Sequence, residues 1–122
     1  MAIVTESLGS THRKPSVLTG SAAFTEVLRE GRRVRRGGII LAYRHRDCGP
    51  PRIGLVAGRQ VGGAVVRNRA KRRVRAVLRE LPLAKATDYV FIVTSAVATV
   101  PFSKLGGWIR SAVSAATPTE EL

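Results

Sequence analysis

Seven arginines and lysines fall between Arg67 and Arg79, within the stretch AVVRNRAKRRVRAVLRE at residues 64–80. Guanidinium and ammonium groups at this density suit one chemistry, the binding of anions. On a helix at about 100° per residue, Asn68, Lys71, Arg72, Arg75 and Arg79 gather on one arc, and Val66, Ala70, Val74, Val77 and Leu78 on another. Arg69 and Arg73 flank the polar side, and Arg67 lies near the apolar edge. Four like-charged pairs stand four residues apart (67/71, 69/73, 71/75, 75/79). At about 0.2–0.5 kcal/mol each they cost the helix on the order of 1–2 kcal/mol. No acid precedes Glu80 to relieve them, and Arg67 and Arg69 sit near the positive end of the helix dipole. An ordinary charged run of mixed sign is a solvated face. A run of one sign points to a polyanion, which removes the repulsion and releases counterions. Asn68 can donate and accept, so it suits a base edge or a ribose hydroxyl, or equally a helix cap.

No other residues assemble a reaction centre. His45, Asp47 and Cys48 are close in sequence, but they fall in turn chemistry, and adjacency is not triad geometry. Two histidines and a single cysteine make no standard zinc site and no disulfide framework. GRQVGGAVVR has the glycines of a phosphate loop without its Lys-Ser/Thr pair. No catalytic and no metal-binding residue is expected in the chain.

The elements that position the basic stretch follow from periodicity. Residues 21–31 place Phe24, Val27 and Leu28 at helical spacing, with Ser21 as cap and Gly31 as stop. IILAYRH (39–45) and RIGLVA (52–57) alternate as strands around the turn DCGPP and read as a long-looped hairpin. GRQVGG is a loop, the basic helix ends near Pro82, and DYVFIVTS (88–95) is a buried strand. Leu105, Trp108, Ile109, Ala112 and Val113 form the apolar stripe of a last helix capped by Ser103. Residues 1–18 read as a flexible arm, 19–115 as one α+β domain, and 116–122 as a frayed tail.

Of the net charge of +13, the whole excess lies in residues 32–79, which hold fifteen basic and one acidic side chain. Nucleic acid is the usual partner of such a field. A membrane is disfavoured, because the apolar stripe of the basic helix is small and no apolar run approaches the roughly 20 residues of a span. The first residues carry no targeting pattern, so a cytoplasmic location is expected.

RIGLVAGRQVGGAVVRNRAKRRVRAVLRE (52–80), with Arg67-Asn68-Arg69 at its centre, resembles the core block of the bacterial ribonuclease P protein subunit. FTEVLREGRRVRRGGIILAY before it and DYVFIVTS after it extend the resemblance over roughly residues 20–114. The resemblance implies an αβββαβα two-layer sandwich, similar to a ribosomal-protein domain, with a four-stranded sheet and a left-handed βαβ crossover. It also implies that a catalytic RNA subunit, using magnesium (Mg2+) held mainly by RNA, removes the 5′ leader of precursor tRNA while the protein assists binding. One protein would join each ribonuclease P RNA. Carried over by position, Arg67, Asn68, Arg69, Lys71, Arg72 and Arg75 would face that RNA, and Phe24, Leu28 and Arg59 would hold the single-stranded leader. The chain departs from the family pattern at Leu28, at Gln60, at Thr94-Ser95 and in the reduced basic stretch VLTGS. The alternative is a ribosomal or other structural RNA-binding protein with no part in cleavage.

Overall fold

The computed structural model describes residues 15–18 and 20–116. Ten elements follow in chain order. They are β1 (Ser16–Val17), α1 (Ser21–Glu30), β2 (Arg32–Arg36), β3 (Ile39–His45), β4 (Arg52–Ala57), a 3-10 turn (Arg59–Val61), α2 (Ala64–Leu78), β5 (Thr87–Val93), α3 (Ala96–Thr99) and α4 (Phe102–Ala116). The sheet runs β1-β4-β5-β3-β2. From α1 onward the αβββαβα order holds, with the two-residue β1 added to the four-stranded sheet and the short α3 added before the last helix.

β5 is buried along almost its whole length. An apolar strand of this kind needs neighbours on both sides, and it inserts between β3, which it meets antiparallel, and β4, which it meets parallel. The expected hairpin of residues 39–45 with 52–57 is therefore not formed. The hairpin is β2–β3 instead, closed at Gly37 and Gly38. Gly37 has φ +57°, and a Cβ there would lie 2.0 Å from the Trp108 ring, so conformation and space both demand glycine. β4, α2 and β5 form the parallel crossover unit that carries the basic helix.

Alternate strand residues divide between two cores. Ile39, Leu41, Tyr89, Phe91 and Val93 pack under α2 and α4. Ala42 and Val90 meet Leu18 and Val27 of α1 on the opposite face. Of the arm expected over residues 1–18, residues 1–14 lie outside the described residues. Ser16 and Val17 pair with Arg52 and Ile53, and Leu18 is buried, because its side chain completes the α1 core. Residues 117–122 of the expected tail also lie outside the description. Two helix starts differ from expectation. Gly20, not Ser21, takes the cap position of α1, and α4 begins at Phe102, where the Pro101 carbonyl accepts the Lys104 and Leu105 amides in place of a Ser103 cap.

Candidate nucleic-acid interface

The basic helix is held by its apolar stripe. Ala70, Val74, Val77 and Leu78 are buried against the sheet and α4, and Val61 of the preceding turn joins them. Val66, expected on this stripe, is 37% exposed. It belongs to the first turn, beyond the main core, and sits against Gly62 of the loop, where a Cβ would come 2.9 Å from it. Gly63 caps α2 with no side-chain bond, so Asn68 does not cap the helix and stands exposed one turn in.

Asn68, Arg69, Arg72, Arg75 and Arg79 are exposed and Lys71 is half-buried. Among the described residues, none of the cations of α2 meets a carboxylate. Arg67 donates to the Gly62 carbonyl at 3.2 Å, which ties the helix start to its loop. Arg73 is the exception to the outward pattern. Its two terminal nitrogens donate to the carbonyls of Val97 and Val100, and its guanidinium lies 5.9 Å from the Phe102 ring centre. On charge pattern alone Arg73 reads as the most dispensable cation of the run. In the fold it fastens α2 to α3 and to the residue that follows it.

The opposite face of the sheet holds Phe24 and Leu28, half-buried and packed with Val56 and Ile92. The Phe24 ring lies directly over Gly54, where a Cβ would be 2.5 Å away, so only glycine lets the ring descend onto β4. Arg59 is exposed in the 3-10 turn that follows β4. A groove of about 1030 Å³ leads from Phe24 over the β1–β4 edge to Arg75 and Arg79, joining one residue of each predicted set. Leu28 and Arg59 do not line it.

One constellation carried no signal in the sequence. Asp88 is fully buried at the start of β5. Its carboxylate accepts Arg52 Nε and Nη2 at 2.7 and 2.8 Å and Arg46 Nε at 2.8 Å, with Arg44 at 3.9 Å. The hydrogen bond to Asp88 raises the pKa of Arg52 above its ordinary value, against the lowering effect of burial. Arg46 also donates to the Cys48 and Pro50 carbonyls, which fixes the loop from β3 to β4. Cross-strand register shows why these groups meet, since Arg44, Asp88 and Arg52 are direct partners on three adjacent strands. That register was not readable without the strand order.

His45 Nδ1 lies 3.1 Å from Thr87 Oγ1, and Asp47 and Cys48 are exposed in the turn. Among the described residues no three His, Cys, Asp or Glu side chains gather as a metal site. No described helix is long and apolar enough to cross a membrane.

The family model described as Ribonuclease P matches residues 13–116. The ribonuclease P protein component of Kocuria rhizophila is 36% identical over 100 residues, covering 79% of this chain and 87% of the relative. That of Symbiobacterium thermophilum is 36% identical over 96 residues, covering 76% and 84%. Among solved structures, the RNase P protein of Thermotoga maritima superposes with a TM-score of 0.74 at 22% identity, covering 87% of this chain and all of the other. The Staphylococcus aureus protein gives 0.73 at 18%, covering 85% and 97%. These two likenesses speak to the fold, which they share. With a family model spanning nearly all the described residues and relatives matched over most of both chains, the chain belongs to the ribonuclease P protein family.

Proposed function

We propose that the chain binds the ribonuclease P RNA through the exposed face of α2 and holds the 5′ leader of precursor tRNA on the opposite face of the sheet. The observation that carries this reading is the row of uncompensated cations on α2. The helix is anchored by its apolar stripe and by Arg73, so the cations are presented rigidly, and no carboxylate among the described residues neutralises them. Asn68, Arg69, Lys71, Arg72 and Arg75 meet the RNA. Arg67 shares its guanidinium between the RNA and the Gly62 carbonyl.

Phe24 and Leu28, with Val56 and Ile92, supply an apolar floor on which bases lie with little sequence preference, and Arg59 contributes a phosphate contact at one end. Leu28 contributes packing and not stacking. Among the described residues, no three His, Cys, Asp or Glu side chains gather to hold a metal ion. Asp88 is buried and saturated by arginines, and Glu26 and Glu30 pair with Arg44. As the family resemblance implies, we assign the magnesium used in phosphodiester hydrolysis to the RNA, with the protein contributing binding. The complex holds one protein per catalytic RNA and works in the cytoplasm.

Reconstitution tests this reading. Mixed with a bacterial ribonuclease P RNA at low magnesium, the protein is expected to accelerate removal of the 5′ leader from precursor tRNA. Cleavage no faster than with RNA alone would favour a structural RNA-binding role instead. Asn68→Ala and Arg72→Ala are expected to weaken RNA-subunit binding more than Phe24→Ala, which should mainly lower affinity for leader-bearing substrate.

A further inference from the structure

Strand register places four side chains in one row on the α1 face of the sheet. These are Val56 of β4, Ile92 of β5, Ile40 of β3 and Arg35 of β2. The first three are half-buried, and Val56 and Ile92 pack with Phe24 and Leu28. The row lies on one flank of α1. At about 100° per residue, Phe24 and Leu28 stand on one side of that helix and Glu26 and Glu30 on the other. Both glutamates reach Arg44, at 3.3 Å each, in the row Arg44–Asp88–Arg52. Between the two rows, Val27 packs on Ala42 and Val90. α1 thus divides the face into a charge-paired half and an apolar half, and the apolar floor ends at the β2 edge in an arginine.

Arg35 is exposed, and its Nε donates to the Gly37 carbonyl at 3.2 Å. That neutral acceptor orients the guanidinium and leaves both terminal nitrogens without a partner among the described residues. Arg33 lies on the same face, two positions back along β2. Its Nη2 donates to the Leu28 carbonyl at 3.0 Å, at the C-terminal end of α1. Neither arginine meets a carboxylate among the described residues. Two cations are therefore held in position but not neutralised. Their strand lies three spacings from β4, about 14 Å, and Arg59 follows the end of β4.

We infer that Arg35 and Arg33 form an outer phosphate clamp for single-stranded RNA that crosses the sheet along the Val56–Ile92–Ile40 floor. This rests on the leader-binding reading above and extends the leader's path to the β2 edge. Charge-assisted bonds from a planar guanidinium suit phosphate oxygens and ignore base identity. The competing role is protection of an edge strand, since charged side chains there block pairing with another sheet.

The test uses the holoenzyme reconstituted with ribonuclease P RNA. Calcium replaces magnesium to suppress cleavage, and affinity is measured for precursor tRNA bearing a leader of one or two nucleotides or one several times longer. The wild type is expected to prefer the long leader. The Arg33→Gln/Arg35→Gln variant should lose about tenfold in long-leader affinity, as two exposed contacts allow. Its salt slope should become shallower by about 1.4, the value for two phosphates on a single strand, with short-leader affinity unchanged. Arg35→Lys, which keeps the charge, should retain most of the wild-type long-leader affinity and salt slope, in contrast to the glutamine variants. Arg35→Gln alone, which leaves the end of α1 untouched, should show about half of it in slope.

If the wild type prefers the long leader and the double variant keeps the full preference and slope, the clamp is refuted while the leader reading stands. If the wild type binds both substrates equally, the leader reading fails and the clamp with it.

Discussion

The salt dependence of RNA binding gives the sharpest measure of how α2 is used. Seven cations lie on the stretch, but the fold separates them. Arg73 is committed to the carbonyls of Val97 and Val100, and Arg67 is partly engaged by Gly62. That leaves Arg69, Lys71, Arg72 and Arg75 without a partner among the described residues, and with the shared Arg67 they make five contacts. At about 0.9 per phosphate, five contacts give a slope of log K against log salt of about −4.5. A fourfold rise in monovalent salt should then weaken binding about 500-fold. Fluorescence anisotropy with end-labelled ribonuclease P RNA at fixed low magnesium reads the slope directly. Arg72→Gln should make it shallower by about 0.9. Arg73→Ala should leave the slope unchanged and instead cost about 2–4 kcal/mol of stability, from lost charged hydrogen bonds and the contact with Phe102. That loss corresponds to a fall in Tm of about 10 °C or more. A wild-type slope shallower than about −2, or equal slope changes for Arg72→Gln and Arg73→Ala, would refute this division of the helix.

Two further outcomes bear on the scaffold. Asp88→Asn leaves the guanidinium groups of Arg46 and Arg52 without their buried counter-charge and should destabilise the fold by about 3–5 kcal/mol in urea unfolding. Gly37→Ala forces a side chain into a left-handed turn and against Trp108. It should cost at least about 1–2 kcal/mol and alter the tryptophan emission of the folded protein.

Periodicity makes α1, α2 and α4 legible because each has one buried stripe, which in α2 is correct at Ala70, Val74, Val77 and Leu78, whereas the single turn of α3 is too short to show one. It misplaced Val66, since a pattern shows which side of a helix is apolar but not how far the core extends beneath its first turn. Strand order was out of reach for the same reason. Nothing local in residues 39–57 announces that β5, thirty residues later, will separate β3 from β4. Asp88 and Arg73 depend on that order. Each looks like an ordinary surface charge until cross-strand register or helix packing brings its partners close. The exposed cations of α2 were legible because their signal is compositional, a surplus of one sign without local compensation.

The two strands at the margins of the sheet have a consequence for the protein before it meets RNA. β4 is lined by only two residues of β1, yet this suffices to occupy its outer backbone at Ser16–Pro51 and Leu18–Ile53. The far margin is β2, where four of five side chains are arginines. At the β2 border the like charge of two approaching strands repels. Pairing of two copies through their β2 strands is accordingly disfavoured until an anion neutralises that border.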